Sequence, residues 1–277
     1  MKTSSALWTA LLVLTAVIAF SYGCKKDKEK KPPALSTIRL FIADDFNQWI
    51  QELNPHTGFL RNFYPVPTPI SVSGTALAYN SEGKILYLID PSDQWTIWRI
   101  LPDQSSPGGV DALALPQPAY FSYESLGYDG EWLLALDPTQ GQEIIDALDP
   151  GTGALQYSTS FCRDPLDPTN CYDLSGGMDA GLREGIYTAG VDRVTGEARI
   201  YHVDSTGAIL DTFSFAPGFD PQGIAVARNF LFVADVSTSK IKIYKIVKRK
   251  GRIELDFLDK DIDFPTGATV TALAAGR

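Results

Sequence analysis

Apolar and polar positions along the chain fall into short runs that recur. Five runs of five to eight residues end in aspartate: Ile38–Asp44, Lys84–Asp90, Glu131–Asp137, Gly185–Asp192 and Leu231–Asp235. The aspartates are spaced 46, 47, 55 and 43 residues apart. A second apolar run follows each of them. Three of these second runs close on related turns, Asn54–Gly58, Asp149–Gly153 and Asp204–Gly207. There an Asx side chain caps the backbone and Gly takes a positive φ. A third run precedes most of the Asp runs, beginning at Gly74, Glu124, Gly177 and Gly223. Runs this short, bounded by turn residues, predict strands, and no amphipathic helix is predicted after residue 36.

The ends of the repeat are informative. The first repeat, from Ile38, lacks the third run, and an unpaired copy of it begins at Gly267 near the C-terminus. The last strand can therefore complete the first unit and close a ring. Closure removes two sheet edges that would otherwise template aggregation. The expectation is an all-β chain. It folds as a single β-propeller of five four-stranded blades, closed by the C-terminal strand pairing with the N-terminal blade. A six-bladed ring stays open if the stretch from Gly153 to Gly177 hides a degenerate unit.

The last full repeat reads FDPQGIAVARNFLFVADVSTSKIKIYKI, from Phe219 to Ile246. It resembles the NHL and YVTN type of propeller repeat in its Pro221–Val226, Leu231–Asp235 and Ile241–Tyr244 segments. The other four repeats fit more loosely. The resemblance implies a fold and not an activity, since such propellers serve as scaffolds, ligand binders and enzymes.

Three segments are expected along the chain. Residues 1–23 read as a signal peptide: Lys2 gives a positive start, and Ala6–Phe20 is an uncharged apolar run too short for a membrane span. The run ends Ser21-Tyr22-Gly23-Cys24, which resembles the lipobox of bacterial lipoproteins, with Ser21 where Leu is usual. Residues 24–36 then form a charged tether behind a lipidated Cys24, with nothing apolar to bury from Lys25 to Pro33. Residues 37–277 form the propeller. Together these imply a chain anchored by lipid at a Gram-negative outer membrane or cell surface. The whole chain has 277 residues and a net charge of −9, which argues against a nucleic-acid partner. Two His and three Cys are too few for a zinc cluster.

Candidate chemistry is sparse. Cys162 and Cys171 flank a Pro- and Asp-rich stretch, and an exported chain favours a disulfide between them. Asp164, Asp167 and Asn170 within that loop offer oxygen ligands for Ca²⁺, but their spacing does not match an EF-hand. No other metal or cofactor is expected. The repeated aspartates read as structural, each bonding backbone at the same place in its repeat.

Residues that break the repeat are better functional candidates. The loops leading into the innermost strands carry Ser73, Tyr123, Glu124, Ser175, Met178, Asp179, Gln222, Thr266 and Thr269. Among them Glu124 and Asp179 are acids in adjacent blades, the pair a glycosidase would need. The set lacks the Asn that a propeller lactonase would use on its metal. Trp95 and Trp98 offer aromatic faces for a sugar, although strand aromatics more often pack between blades, and Trp49 is read the same way. Trp132 is expected in the core. His56 and His202 sit in no ligand or catalytic pattern.

The leading expectation is a monomeric, non-enzymatic binding or scaffold module for a protein or glycan partner, contacting it through Tyr123, Glu124, Asp179, Gln222, Trp95 and Trp98. The alternative is a carbohydrate-active hydrolase working through Glu124 and Asp179. A deep channel where those carboxylates converge favours the enzyme, and a plugged channel favours the binder.

Overall fold

A computed structural model describes residues 35–66, 70–72, 76–90, 93, 96–103, 110–115, 123–137, 143–161, 174, 176–181, 185–191 and 195–277. A short 3₁₀ turn, Leu35–Thr37, precedes twenty strands. These form five four-stranded antiparallel sheets, so the chain is a five-bladed β-propeller. Blade 1 is built from both ends of that region: β20 (Val270–Gly276) lies innermost, followed by β1 (Arg39–Asp44), β2 (Trp49–Leu53) and β3 (Leu60–Pro65). Blade 2 runs outward as β4 (Ala76–Asn80), β5 (Ile85–Ile89), β6 (Thr96–Ile100) and β7 (Val110–Ala114). Blade 3 is β8 (Ser125–Tyr128), β9 (Leu133–Asp137), β10 (Ile144–Leu148) and β11 (Leu155–Ser160). Blade 4 is β12 (Met178–Gly181), β13 (Gly185–Val191), β14 (Ala198–Val203) and β15 (Ile209–Ser214). Blade 5 is β16 (Pro221–Ala227), β17 (Phe230–Asp235), β18 (Lys240–Arg249) and β19 (Arg252–Asp263). The stretch after Gly153 supplies β11, the outer strand of blade 3, so the six-bladed option falls.

The ring closes as the sequence repeat implies. Strand β1 pairs with β20 from Arg39↔Gly276 to Asp44↔Val270. The inner strands contact one another in the order β20, β4, β8, β12, β16 and back to β20. We call the side where these strands begin the upper face and the side where they end the lower face.

Blade packing explains why the strands read as continuous apolar runs. Neighbouring side chains of a strand point to opposite faces, and here both faces are covered by another blade. In β1, Leu40 and Ile42 join the core shared with blade 5, and Phe41 and Ala43 join the core shared with blade 2. Similar clusters fill the other three seams. Burying each Leu, Ile or Phe contributes about 1.5–3 kcal/mol. Trp132 packs against the seam of blades 3 and 4, as expected.

The turns follow their sequence signals. Gly58, Gly153 and Gly207 have φ of 76°, 72° and 83°. The carboxylate of Asp149 accepts the N–H groups of Gly151 and Thr152, and that of Asp204 accepts those of Thr206 and Ala208.

The repeated aspartates are structural ties. Asp44, Asp90, Asp137 and Asp235 are all buried. In three blades the carboxylate holds an N–H of the loop entering its own innermost strand. Asp44 accepts from Thr269 at 3.2 Å, Asp90 from Ser71 at 2.9 Å and Asp235 from Asp220 at 3.2 Å. Burial opposes the Asp235 charge, but the hydroxyls of Ser237 and Thr238 with that N–H outweigh it and hold its pKa below the ordinary value. Asp192 lies outside the described residues.

Candidate functional site

The channel axis is nearly closed. A Cβ added at Gly127 in β8 would sit 2.8 Å from the Asp179 Cα, and one at Gly223 in β16 would sit 2.9 Å from the Leu273 N. Inner strands of adjacent blades therefore approach backbone to backbone, which five blades around one axis require. What remains at the upper end is a cavity of about 20 Å³ lined by all five inner strands or the residues just before them. That is room for about one water molecule.

Asp179 does not line that cavity. It is 3% exposed, and it sits in β12 between two neighbouring inner strands. Its Oδ1 accepts the N–H of Tyr128 from β8 at 3.2 Å and that of Ala180 at 2.8 Å. Its Oδ2 accepts the N–H of Val226 from β16 at 2.7 Å. Innermost strands are sheet edges, and this carboxylate satisfies edge N–H groups from three blades. Burial pushes its pKa up to about 7 despite the three N–H donors that favour the charge. Glu124 lies elsewhere: it is exposed at the upper face and lines the small cavity. The two acids do not converge on a shared recess among the described residues.

The remaining predicted contacts are scattered. Tyr123 is buried, and its hydroxyl donates to Asp146 Oδ2 at 3.1 Å. Burial, followed by the Asp146 charge, raises its pKa. Gln222 is exposed beside the cavity, with its amide donating to Asp220 Oδ1 at 3.1 Å. Trp98 packs into the seam of blades 1 and 2. Trp49 is the exception to inter-blade packing: it is 39% exposed and stacks on Phe63 of its own blade at 4.9 Å. Trp95, Cys24, Cys162 and Cys171 lie outside the described residues, as do Asp164, Asp167 and Asn170. The described residues contain no cluster of three or more His, Cys, Asp or Glu able to hold a metal ion.

A larger recess lies at the lower face, where blades 3, 4 and 5 meet. It is a groove of about 880 Å³, within the range of small-molecule sites. Blade 3 contributes Asp129 and Tyr157, and blade 5 contributes Lys248 and Arg252. Blade 4 forms its floor with His202, Asp204, Ser205, Asp211 and Thr212. His202 and Asp211 are direct cross-strand partners, with Nδ1 3.2 Å from Asp211 Oδ2. The carboxylate fixes the imidazole on one side, and the Tyr187 ring stacks on it at 4.8 Å. Gly185 makes room on the other side: a Cβ there would lie 2.5 Å from His202 Nε2. Sequence pattern gave His202 no role. Its signal was the register across the Asp204–Gly207 turn, which places residue 202 opposite 211.

No protein-family model and no curated protein sequence matches the chain. Solved structures do resemble it. A chain of a nidogen–laminin complex is 12% identical, with 86% of this chain and 98% of that one covered and a TM-score of 0.51. A proposed 6-phosphogluconolactonase from Bacteroides uniformis is 12% identical, with 83% and 69% covered and a TM-score of 0.42. A functionally unknown protein from Desulfotomaculum acetoxidans is 14% identical, with 82% and 66% covered and a TM-score of 0.42. With 445 solved chains sharing the likeness, the propeller class is supported and no activity is singled out.

Proposed function

We propose that this chain is a lipid-anchored, extracytoplasmic binding propeller with NHL/YVTN-like repeats, and that it takes a glycan partner in the lower-face groove. The observation that carries this reading is the contrast between the two recesses. The channel holds about 20 Å³ and the groove about 880 Å³. Display needs rigidity, and the closed ring supplies it. The groove offers what hydroxyl-rich ligands need: carboxylates that accept from vicinal hydroxyls, the oriented His202 imidazole, and the Tyr157 ring for a sugar face. Binding is favoured over hydrolysis because both Asp179 oxygens are already committed to backbone donors.

The test is a glycan array followed by titration of any hit, using the wild type beside Thr212→Trp and Glu124→Gln. Thr212 is exposed in the groove, so Trp there fills it. Loss of affinity by about tenfold or more in Thr212→Trp, with Glu124→Gln unchanged, supports the groove. Cleavage of a bound glycan that disappears in Glu124→Gln would restore the hydrolase. A blank array would redirect the search to protein partners in the cell envelope.

A further inference from the structure

Two features of the lower face coincide. The first is where the N-terminal segment attaches. Arg39 pairs with Gly276 at the end of the inner strand, and Arg61 holds the carbonyls of Ser36 and Ile38, so Leu35 joins the propeller at the lower face. Cys24 lies eleven residues before Leu35, a span of at most about 40 Å. A lipid at Cys24 would therefore keep this face close to the bilayer.

The second feature is a basic hairpin on the same face. Strands β18 and β19 have 10 and 12 residues, against four to seven elsewhere, and their tip is Lys248-Arg249-Lys250-Gly251-Arg252. Arg249 is committed to Glu254 and Asp256. Lys248, Lys250 and Arg252 are exposed, and no described residue forms an ion pair with them. Arg228, in the adjoining β16–β17 turn, adds to the positive charge. Burial and then the like charge of Arg277 lower its pKa. Exposed acids sit at both faces, Glu82 and Glu131 at the lower one and Glu124, Asp220 and Asp263 at the upper one, so the positive charge is confined to the tip. In a chain of net charge −9, this tip is a local excess of unpaired cations.

We propose that the β18–β19 tip is the membrane-facing contact of the propeller. Lys248, Lys250 and Arg252 rest against the anionic headgroups of the layer that holds the anchor, and the upper face points away. The proposal builds on the lipid-anchor reading through the position of Leu35. Each cation near an anionic surface gains attraction that decays within a Debye length, so the tip acts at short range. A tether raises its local concentration at the surface and strengthens a contact that the tip makes by itself. The groove beside the tip would then meet its ligand at the membrane surface.

The test uses residues 24–277 carrying Cys24→Ser, which cannot be lipidated, so its result is separate from that of the anchor. Sedimentation is measured with phosphatidylcholine vesicles, with and without phosphatidylglycerol. The expected result is binding to the anionic vesicles only. The Lys248→Glu, Lys250→Glu, Arg252→Glu variant should bind them about tenfold or more weakly, with unchanged circular dichroism. A Lys248→Arg, Lys250→Arg variant should bind like wild type. If the charge-reversed chain sediments as the wild type does, the tether lysines alone carry any attraction and the proposal fails. Equal binding to neutral and anionic vesicles overturns it as well.

Discussion

The Asp179 carboxylate accepts the backbone N–H of Val226 at 2.7 Å, from a strand of the next blade. With Tyr128 and Ala180 on its other oxygen, it ties three inner strand segments at the axis. Asp179→Asn would replace Oδ2 with an amide nitrogen facing the Val226 donor, since Oδ1 must keep two N–H groups. The expected cost is about 1–3 kcal/mol of stability. Urea denaturation of the purified variant reads it, and a midpoint equal to wild type would remove the structural role.

The same residue makes stability depend on pH. Its folded pKa of about 7 lies above the ordinary 3.8, so the folded chain holds this proton more tightly. The contribution is complete below the unfolded value and is lost as pH rises through about 7. The stability of wild type relative to Asp179→Asn should therefore fall between about pH 4 and about pH 7 and level off above it. Asp149 and Asp204 act in the other direction. The Thr152 and Thr206 hydroxyls lead the bonds that lower their pKa values, so their contribution is lost as pH falls through the folded values. A flat difference between the two proteins above pH 5 would show that Asp179 does not titrate there.

Arg39 seals the seam between blades 1 and 2. It grips the buried Glu52 through two hydrogen bonds of 3.1 and 2.8 Å, and it also reaches Asp103 at 2.7 Å. Tyr64 donates to the same Glu52 at 2.8 Å. Arg39→Met would leave the buried Glu52 with only Tyr64 and the more distant Arg61, 3.8 Å away, at an expected cost toward the lower end of about 3–5 kcal/mol. Arg39→Met with Glu52→Leu should recover much of that loss. Thermal melts of the single and double variants decide it, and a single variant as stable as wild type would contradict the assignment.

Gly127 tests how tightly the axis is closed. A methyl there meets the Asp179 backbone at 2.8 Å, and backbone cannot swing aside as a side chain does. Gly127→Ala should destabilise by about 1–3 kcal/mol through overpacking. A melting temperature unchanged from wild type would mean the inner strands have slack.

Two predictions concern residues read from sequence alone. Mass spectrometry of the mature N-terminus should find diacylglycerol on Cys24, absent in Cys24→Ser. Peptide mapping without reductant should find Cys162 joined to Cys171, with reduction costing about 2 to 3 kcal/mol in the chain-entropy model. A free thiol at both positions would contradict the pairing and weaken the case for an oxidising compartment.

Sequence by itself determined the strands, the five blades and the way the ring closes. These are local or repeated properties: short continuous apolar runs, turn residues at fixed offsets, and the missing inner strand at Ile38 matched by the spare one at Gly267. The Asp at each second strand was legible for the same reason, because a tie that repeats leaves a repeating letter. Tertiary structure alone decided what becomes of the residues that break the repeat. Asp179 and Glu124 look like a catalytic pair in a string. One is consumed by N–H groups from strands 51 and 47 residues away, and the other is exposed at the upper face. His202 looked idle until its hairpin register set it beside Asp211, and until three blades met around them to form the groove. Those outcomes depend on how closely different blades approach the axis and one another, a distance that no single strand's pattern encodes.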